Sequence, residues 1–141
     1  MMKLKIIKIF FLLFFFTNNL IANTQYYQEG LNLYNSKKFN EAKFKFEQDI
    51  VFNPKNEMSY LYLSKIFMNF DQKDLQEQNL NTVILLNPKN EEALYNLAKL
   101  KLESSDYKKS KELNDTLISL CDLFCSESKK LKTEIENLSK K

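Results

Sequence analysis

Several residue types that build common catalytic and nucleotide-binding sites are missing from this 141-residue chain, which contains no histidine, tryptophan or arginine. Histidine is the most frequent general base and metal ligand, so its absence excludes Ser–His and Cys–His catalytic pairs. Arginine is the side chain that binds phosphate or guanine through paired hydrogen bonds. The single glycine, Gly30, cannot form a glycine-rich phosphate-binding loop. We therefore predict that the protein is not an enzyme, has no cofactor or metal, and does not bind nucleic acid.

Turn-forming residues are also scarce. The chain has one glycine and two prolines, Pro54 and Pro88, far below average usage. A fold rich in β-strands needs many tight turns, and those turns favour glycine and proline. The composition therefore predicts an all-α fold.

The chain has two cysteines, Cys121 and Cys125. On an unbroken helix their Cα atoms would lie about 6 Å apart, within disulfide range but with poorly directed side chains. A break in the helix over 122–126 would relax that geometry. Three interpretations of the two cysteines stay open: a disulfide, a pair of buried free thiols, and a redox or metal role.

The N-terminus has the pattern of a secretory signal peptide. Three lysines, Lys3, Lys5 and Lys8, lie within its first eight residues. The apolar run that follows, 9–16, is well short of the roughly 20 residues that span a bilayer, and Ala22 offers a small residue for cleavage. We predict a signal peptide over 1–22 and export to a bacterial periplasm or the cell exterior. The alternative is an uncleaved segment that anchors an assembly subunit to a membrane.

The formal net charge of +3 comes from those three N-terminal lysines. Residues 1–22 contain no acidic residue, so residues 23–141 carry equal numbers of basic and acidic side chains. The charge therefore gives no reason to expect nucleic acid or an anionic surface as a partner.

A five-residue segment occurs twice. Residues 53–57 read Asn-Pro-Lys-Asn-Glu, and the same five residues stand at 87–91, 34 positions later. Proline cannot continue a helix and disfavours helix in the residue before it, so each copy marks the end of a helix pair. A period of 34 indicates helix–turn–helix units that stack on their neighbours.

Shifting the sequence by this period defines three units, 23–56, 57–90 and 91–124. A small residue recurs at one phase, where two helices are expected to approach closely: Gly30, Ser64 and Ala98. The apolar spacing predicts helices at 23–36, 39–52, 57–69, 72–86, 91–104, 107–121 and 127–139. The predicted N-caps are Asn56, Asn90 and Asp106.

These repeats resemble a known family. The features that carry the resemblance are the 34-residue helix pair, the small residue at Gly30, the segment 39–42 (Phe-Asn-Glu-Ala), Phe46, and the prolines Pro54 and Pro88 at unit ends. Together they resemble the tetratricopeptide repeat over nearly all of residues 23–124. The resemblance implies a right-handed superhelical solenoid of three repeats that binds a protein partner. An unrelated helical bundle with a chance repeat is the alternative.

Four positions depart from the family pattern. They are Gln76 and Ser110 in the slot of Ala42, Asn114 in an aromatic slot, and Asp122 in the slot of the closing proline. We expect these departures to weaken the inner packing of the third unit.

Residues 125–141 are predicted to form a capping helix. Leu131, Ile135 and Leu138 follow one another at steps of four and three residues, so they share one face. The last unit of a solenoid leaves an apolar face, which a helix with a polar back can cover.

The resemblance also places a candidate binding groove. In tetratricopeptide repeats the first helices line a concave surface, and the inward slots match Tyr27, Leu31, Tyr34, Leu61, Lys65, Met68, Tyr95 and Lys99. Tyrosine offers a large contact area at low entropic cost, so we predict that this groove binds a protein or peptide. Packing between neighbouring helices is the alternative for each residue. Tyr27 and Leu31 replace the Lys and Asn by which some members hold a C-terminal carboxylate, so a chaperone-tail adaptor is not expected.

Overall fold

The computed structural model of the chain describes residues 25–140, and every regular element in that range is an α-helix. The helices are α1 (described over 25–35), α2 (Phe39–Phe52), α3 (Glu57–Asn69), α4 (Lys73–Leu86), α5 (Glu91–Glu103), α6 (Tyr107–Leu120) and α7 (Cys125–Leu138). The predicted all-α fold is confirmed. Within this range none of the helices has the length together with the hydropathy that a membrane span requires. The predicted signal peptide lies outside the described residues.

The chain divides into two compact subdomains, one ending at Ser59 and the other beginning at Tyr60. In the first repeat unit, α1 and α2 approach closely at Gly30, where an added Cβ would lie 2.8 Å from Cε1 of Phe46. Phe46 and Ala42, both on α2, are fully buried. Gly30 is therefore a packing residue, as its repeat phase predicts.

A buried carboxylate holds the turn between α2 and α3. Asp49 is fully buried and accepts hydrogen bonds from Ser59 Oγ at 2.6 Å and from Asn56 Nδ2 at 2.7 Å. Asn56 Oδ1 accepts a hydrogen bond from the N–H of Met58 at 3.2 Å, so Asn56 caps α3 as predicted. Because a buried charge needs such donors, this network ties the turn to both helices.

Each of the three repeat units has a turn between its two helices, and these three turns share one backbone conformation. Lys37, Asp71 and Ser105 have φ values of 58°, 54° and 62°, in the left-handed region that usually takes glycine. The N–H of each following residue donates to the carbonyl five residues earlier, at 2.8–2.9 Å. These bonds satisfy carbonyls at the C-terminal ends of α1, α3 and α5. The 34-residue period is therefore present in the backbone as well as in the sequence.

The second subdomain, which begins at Tyr60, is arranged around α5, which contacts α4, α6 and α7. The last helix, α7, buries Leu131 and Ile135 and half-buries Leu138 against α5 and α6. This is the apolar stripe expected of a capping helix.

The predicted N-caps of α5 and α6 are confirmed. Asn90 Oδ1 accepts a hydrogen bond from the N–H of Ala93 at 3.0 Å, and Asp106 Oδ1 accepts one from Lys109 at 3.1 Å. Each cap satisfies an N–H group that has no partner within its own helix. The starts of these two helices are therefore set by local side chains.

Candidate functional site

The candidate groove residues of the first unit are half-buried on α1. The ring centroids of Tyr27 and Phe46 lie 6.0 Å apart, and those of Tyr34 and Phe39 lie 5.4 Å apart in an edge-on arrangement. Leu31 is half-buried as well. Packing against α2 therefore takes up part of each tyrosine, and a role for these three residues in binding stays a prediction.

One candidate in the second unit is not at the surface. Leu61 is 2% exposed, so its side chain belongs to the core. The prediction that Leu61 contacts a partner is therefore wrong. A repeat phase indicates which side of a helix a residue lies on, but the depth of burial depends on the elements that cover that side.

Lys65 reaches the surface of α3, but its charge is compensated. Its Nζ atom lies 2.7 Å from Glu92 Oε1 on α5 and 4.8 Å from the centre of the Tyr62 ring. Only 19% of the Lys65 side chain is exposed. The ion pair and the cation–π contact therefore connect α3 to α5, and they leave Lys65 less accessible than the sequence suggests.

Tyr95 and Lys99 lie one turn apart on α5. The Lys99 Nζ atom is 5.7 Å from the centre of the Tyr95 ring, whose other neighbour is the Phe124 ring at 5.3 Å. Lys99 is exposed and forms no ion pair with any residue in 25–140. Tyr95 is thus partly covered, whereas Lys99 presents an accessible positive charge.

Met68 and Lys99 line the same cavity, which has a volume of about 260 Å³ and borders the end of α3, the start of α4 and α5. Its other lining residues are Asp71, Lys73, Gln76, Asn96, Leu100 and Glu103. Met68 is 52% exposed, so the cavity combines an accessible apolar side chain with an uncompensated ammonium group. The volume is just below the roughly 300–1,000 Å³ typical of small-molecule sites and suits one or two side chains of a peptide.

Two ion pairs connect α4 to α5 near this cavity. Lys73 Nζ lies 3.2 Å from Glu103 Oε2, and Lys101 Nζ lies 2.6 Å from Glu77 Oε1. Lys101 occupies a repeat position that is apolar in the other two units. The ion pair to Glu77 is the physical reason that a charged residue is accommodated there.

The turn before α7 is held by Glu91, the first residue of α5. Glu91 is 8% exposed, and its carboxylate accepts hydrogen bonds from the N–H groups of Asp122, Leu123 and Phe124 at 2.8–2.9 Å. Burial raises the pKa of Glu91, but the three N–H donors outweigh burial and lower the pKa below its ordinary value of 4.5. Glu91 is therefore ionised at neutral pH and anchors this turn.

A disulfide joins Cys121 and Cys125 in the same turn, with their Cα atoms 4.8 Å apart. Cys121 follows α6 with a left-handed φ of 41°, and Cys125 begins α7. The helix is thus interrupted between them, within the stretch where a break was expected to relax the geometry of a disulfide. In the part of the chain that the structure describes, no group of three or more His, Cys, Asp or Glu residues could hold a metal ion.

Departures from the repeat pattern in the third unit form hydrogen bonds that the sequence did not reveal. Ser110 Oγ donates to a carbonyl of α5 at 2.8 Å, and Asn114 Nδ2 donates to a carbonyl of α7 at 3.0 Å. The N–H of Asp122 donates to Glu91, a bond that proline at this position could not make. Hydrogen bonds between α5, α6 and α7 therefore replace apolar contacts. The sequence feature that could have indicated these bonds is that Ser110, Asn114 and Asp122 all depart from the repeat pattern.

Comparisons with known proteins find similarity in structure. The sequence matches no protein-family model and no curated protein. The Arabidopsis OM64 TPR domain is 18% identical with a TM-score of 0.75, and the match covers 84% of this chain and 98% of that one. The TPR2B domain of yeast Sti1, in a complex with pHsp70, is 13% identical with a TM-score of 0.75 over 84% and 98%. The Yersinia enterocolitica type III secretion chaperone SycD, with a peptide of the translocator YopD, is 19% identical with a TM-score of 0.72 over 84% and 94%.

Proposed function

We propose that this chain, which has the tetratricopeptide-repeat fold, is a protein-interaction module that binds a protein or peptide partner. The observation that carries the proposal is the cavity lined by Met68 and Lys99, which belong to first helices of their units. Two of the similar structures are described as complexes, one with pHsp70 and one with a YopD peptide. The absence of enzymatic activity stays a prediction.

The cavity lining favours a peptide segment with mixed chemistry. Lys99 attracts a carboxylate or a carbonyl oxygen, and the side-chain amides of Asn96 and Gln76 can both donate and accept hydrogen bonds. Met68 offers flexible apolar surface that adapts to the shape of a partner. We therefore propose that an apolar side chain next to an acidic or amide side chain occupies this cavity.

Substitutions in the cavity test the proposal. The partner is captured from the native cell with the full chain and identified, and its affinity is then measured for each variant. Met68→Glu and Lys99→Glu should each raise the Kd about tenfold or more, because each removes a contact and adds a negative charge. Leu85→Glu is the control, since Leu85 is 81% exposed on α4 and does not line the cavity. Unchanged affinity in both cavity variants would contradict the proposal.

We also propose that the protein is exported to the periplasm or the cell exterior, where it acts as a scaffold or adaptor. Support comes from the signal-peptide pattern at 1–22 and from the disulfide between Cys121 and Cys125, a bond that persists mainly in oxidising compartments. The mass of the protein recovered from its native cell tests this proposal, and loss of residues 1–22 is the expected result. Retention of the full N-terminus would instead support the membrane-anchored assembly subunit.

A further inference from the structure

The turn between α6 and α7 places an aromatic ring against a candidate groove residue. The ring centroids of Phe124 in this turn and Tyr95 on α5 lie 5.3 Å apart. Tyr95 is half-buried and has the helix phase that the family resemblance assigns to partner binding. The position of Phe124 therefore decides how much of the Tyr95 ring is open to another molecule.

Two different restraints hold this turn. The disulfide joins Cys121 to Cys125 and so closes a segment of five residues that includes Phe124. The Glu91 carboxylate accepts hydrogen bonds from the N–H groups of all three residues between the cysteines. One covalent bond and one carboxylate therefore act on the same short piece of backbone.

The local sequence does little to favour the turn without these restraints. Cys121 has a φ of 41°, in the left-handed region that is unfavourable for residues other than glycine. Phe124 is the N-cap residue of α7, and its apolar side chain cannot accept a capping hydrogen bond from the start of the helix. The closed turn therefore depends on the disulfide and on Glu91.

The packing of α7 does not depend on the disulfide. A cross-link that closes a short loop restricts the unfolded chain less than one that closes a long loop. Beyond the turn, α7 buries Leu131 and Ile135, and Asn114 Nδ2 on α6 donates to the carbonyl of Ser128 at 3.0 Å. Loss of the disulfide should therefore act on the turn and leave α7 in place.

The disulfide is accessible to a reductant. Cys121 is exposed and Cys125 is half-buried. Exposed disulfides are generally easier to reduce than the enclosed disulfides of a protein core. A dithiol reductant supplies two electrons and two protons: the bond between the two Sγ atoms breaks, two thiols form, and the dithiol itself becomes a disulfide.

We propose that the Cys121–Cys125 bond is a redox-controlled latch that keeps Phe124 over Tyr95. In the oxidised chain the disulfide and Glu91 together hold the turn closed. In the reduced chain Glu91 alone holds it, so the turn opens part of the time and Phe124 leaves the Tyr95 ring. This latch shares no residue with the cavity at Met68 and Lys99, and its test needs no partner, so it stands apart from the proposed function.

Amide hydrogen exchange of the full chain, resolved by NMR, tests the opening. Reduction with excess dithiothreitol at constant pH should speed exchange of the amides of 122–124 at least about tenfold, because opening breaks their bonds to Glu91. The Asp106 amide is the control, since it donates to the Lys101 carbonyl in a left-handed turn that contains no cysteine. Unchanged exchange at 122–124, or an equal increase at Asp106, would overturn the proposal.

Contact between the two rings is the second readout. Cross-relaxation between ring protons of Phe124 and Tyr95 should be present in the oxidised chain and should weaken on reduction. The pair Tyr34 and Phe39, with ring centroids 5.4 Å apart in the first subdomain, should not respond.

A variant without cysteines separates the disulfide from other effects of the reductant. Cys121→Ser combined with Cys125→Ser should show the weak cross-relaxation of the reduced chain, and dithiothreitol should not change it further. Circular dichroism confirms that the variant stays helical. Full ring contact in this double variant would overturn the proposal.

Glu91→Gln tests whether both restraints act on one turn. In the oxidised chain it should speed exchange at 122–124 by less than about threefold, because the disulfide still limits the opening. In the reduced chain the same substitution should speed it at least about tenfold, because no restraint is left. An equal factor in the two redox states would overturn the shared control of the turn.

Discussion

The Glu91 carboxylate joins the start of α5 to a turn more than 30 residues further along the chain. Its folded-state pKa is lower than the ordinary value of 4.5, which represents the unfolded chain. The unfolded state therefore binds the proton more readily. The contribution of Glu91 to the free energy of unfolding is present above about pH 4.5 and is lost as the pH falls through the lower folded-state pKa.

We predict that Glu91→Gln lowers the urea midpoint of unfolding at about pH 7, because a neutral amide offers only one, weaker acceptor to the three N–H groups. The deficit should shrink near pH 3, where the wild-type carboxyl group gains its proton as well. Glu112→Gln removes a carboxylate from an exposed pair with Lys109 and should change the midpoint little at either pH. An equal Glu91→Gln deficit at both pH values would contradict the role of the ionised carboxylate.

Substitution of Ser105, which has a left-handed backbone conformation, is predicted to increase stability, whereas Glu91→Gln is predicted to decrease it. A side chain at positive φ is strained by about 1 kcal/mol relative to glycine, so Ser105→Gly should raise the free energy of unfolding by up to that amount. Ser104 is the matched control, because its φ is −84° and glycine relieves no strain there. Thermal unfolding of the two variants measures the difference. A melting temperature that falls in Ser105→Gly would show that the turn is not strained.

Replacement of Ala42 by a larger side chain tests the close approach of α1 and α2. Its side chain is fully buried, so Ala42→Leu should cost about 1–3 kcal/mol through overpacking. Asn40→Leu introduces the same side chain at an exposed position of α2 and should have little effect. Denaturant unfolding of both variants is the measurement. If Ala42→Leu matched the wild type in stability, the helix phase of the first unit would be wrong.

At the scale of elements, the agreement between predicted and observed helix ends has a local cause. Pro54 and Pro88 interrupt the helices that precede them, and Asn90 and Asp106 cap the helices that follow. Each of these residues acts on the backbone within a few positions of itself. The described helix ends therefore lie within two residues of those predicted from sequence.

Features that depend on distant parts of the chain were not predictable in the same way. Glu91 follows the predicted N-cap Asn90 directly, but the partners of its carboxylate lie more than 30 positions away. Leu61 was placed in the groove by its phase, but its burial depends on the elements that cover it. Lys37 and Ser105 adopt a conformation that sequence normally signals by glycine. Of the candidate groove, Met68 and Lys99 are the residues that the structure brings to one cavity.

The last helix, α7, is expected to stabilise the second subdomain through its apolar stripe. Leu131 is 3% exposed, so Leu131→Ala should cost about 2–5 kcal/mol by removing buried methyl groups and leaving a cavity. Leu123→Ala removes the same atoms from a side chain that is 79% exposed and should cost less than about 0.5 kcal/mol. Urea unfolding compares the two. Similar losses in both variants would mean that α7 does not depend on this packing.

At the scale of the whole molecule, two surfaces of the described chain differ in chemistry. The cavity at Met68 and Lys99 belongs to the second subdomain, and two acidic and two basic side chains line it together with the exposed Met68. The face of α2 that includes Phe44 and Val51 belongs to the first subdomain and carries these two exposed apolar side chains. A protein whose described structure is built from repeated helix pairs can present several such surfaces, because each helix pair exposes its own outer residues.

The central claim is that the cavity lined by Met68 and Lys99 binds the partner. Amide chemical-shift mapping of the isotope-labelled full chain, on addition of the identified partner, tests it most directly. We predict that the largest changes occur at Met68, Asn96 and Lys99, with small changes at Leu85. A partner that binds while leaving the amides of these three cavity residues unchanged, and that perturbs α7 or the outward face of α2 instead, would contradict the account.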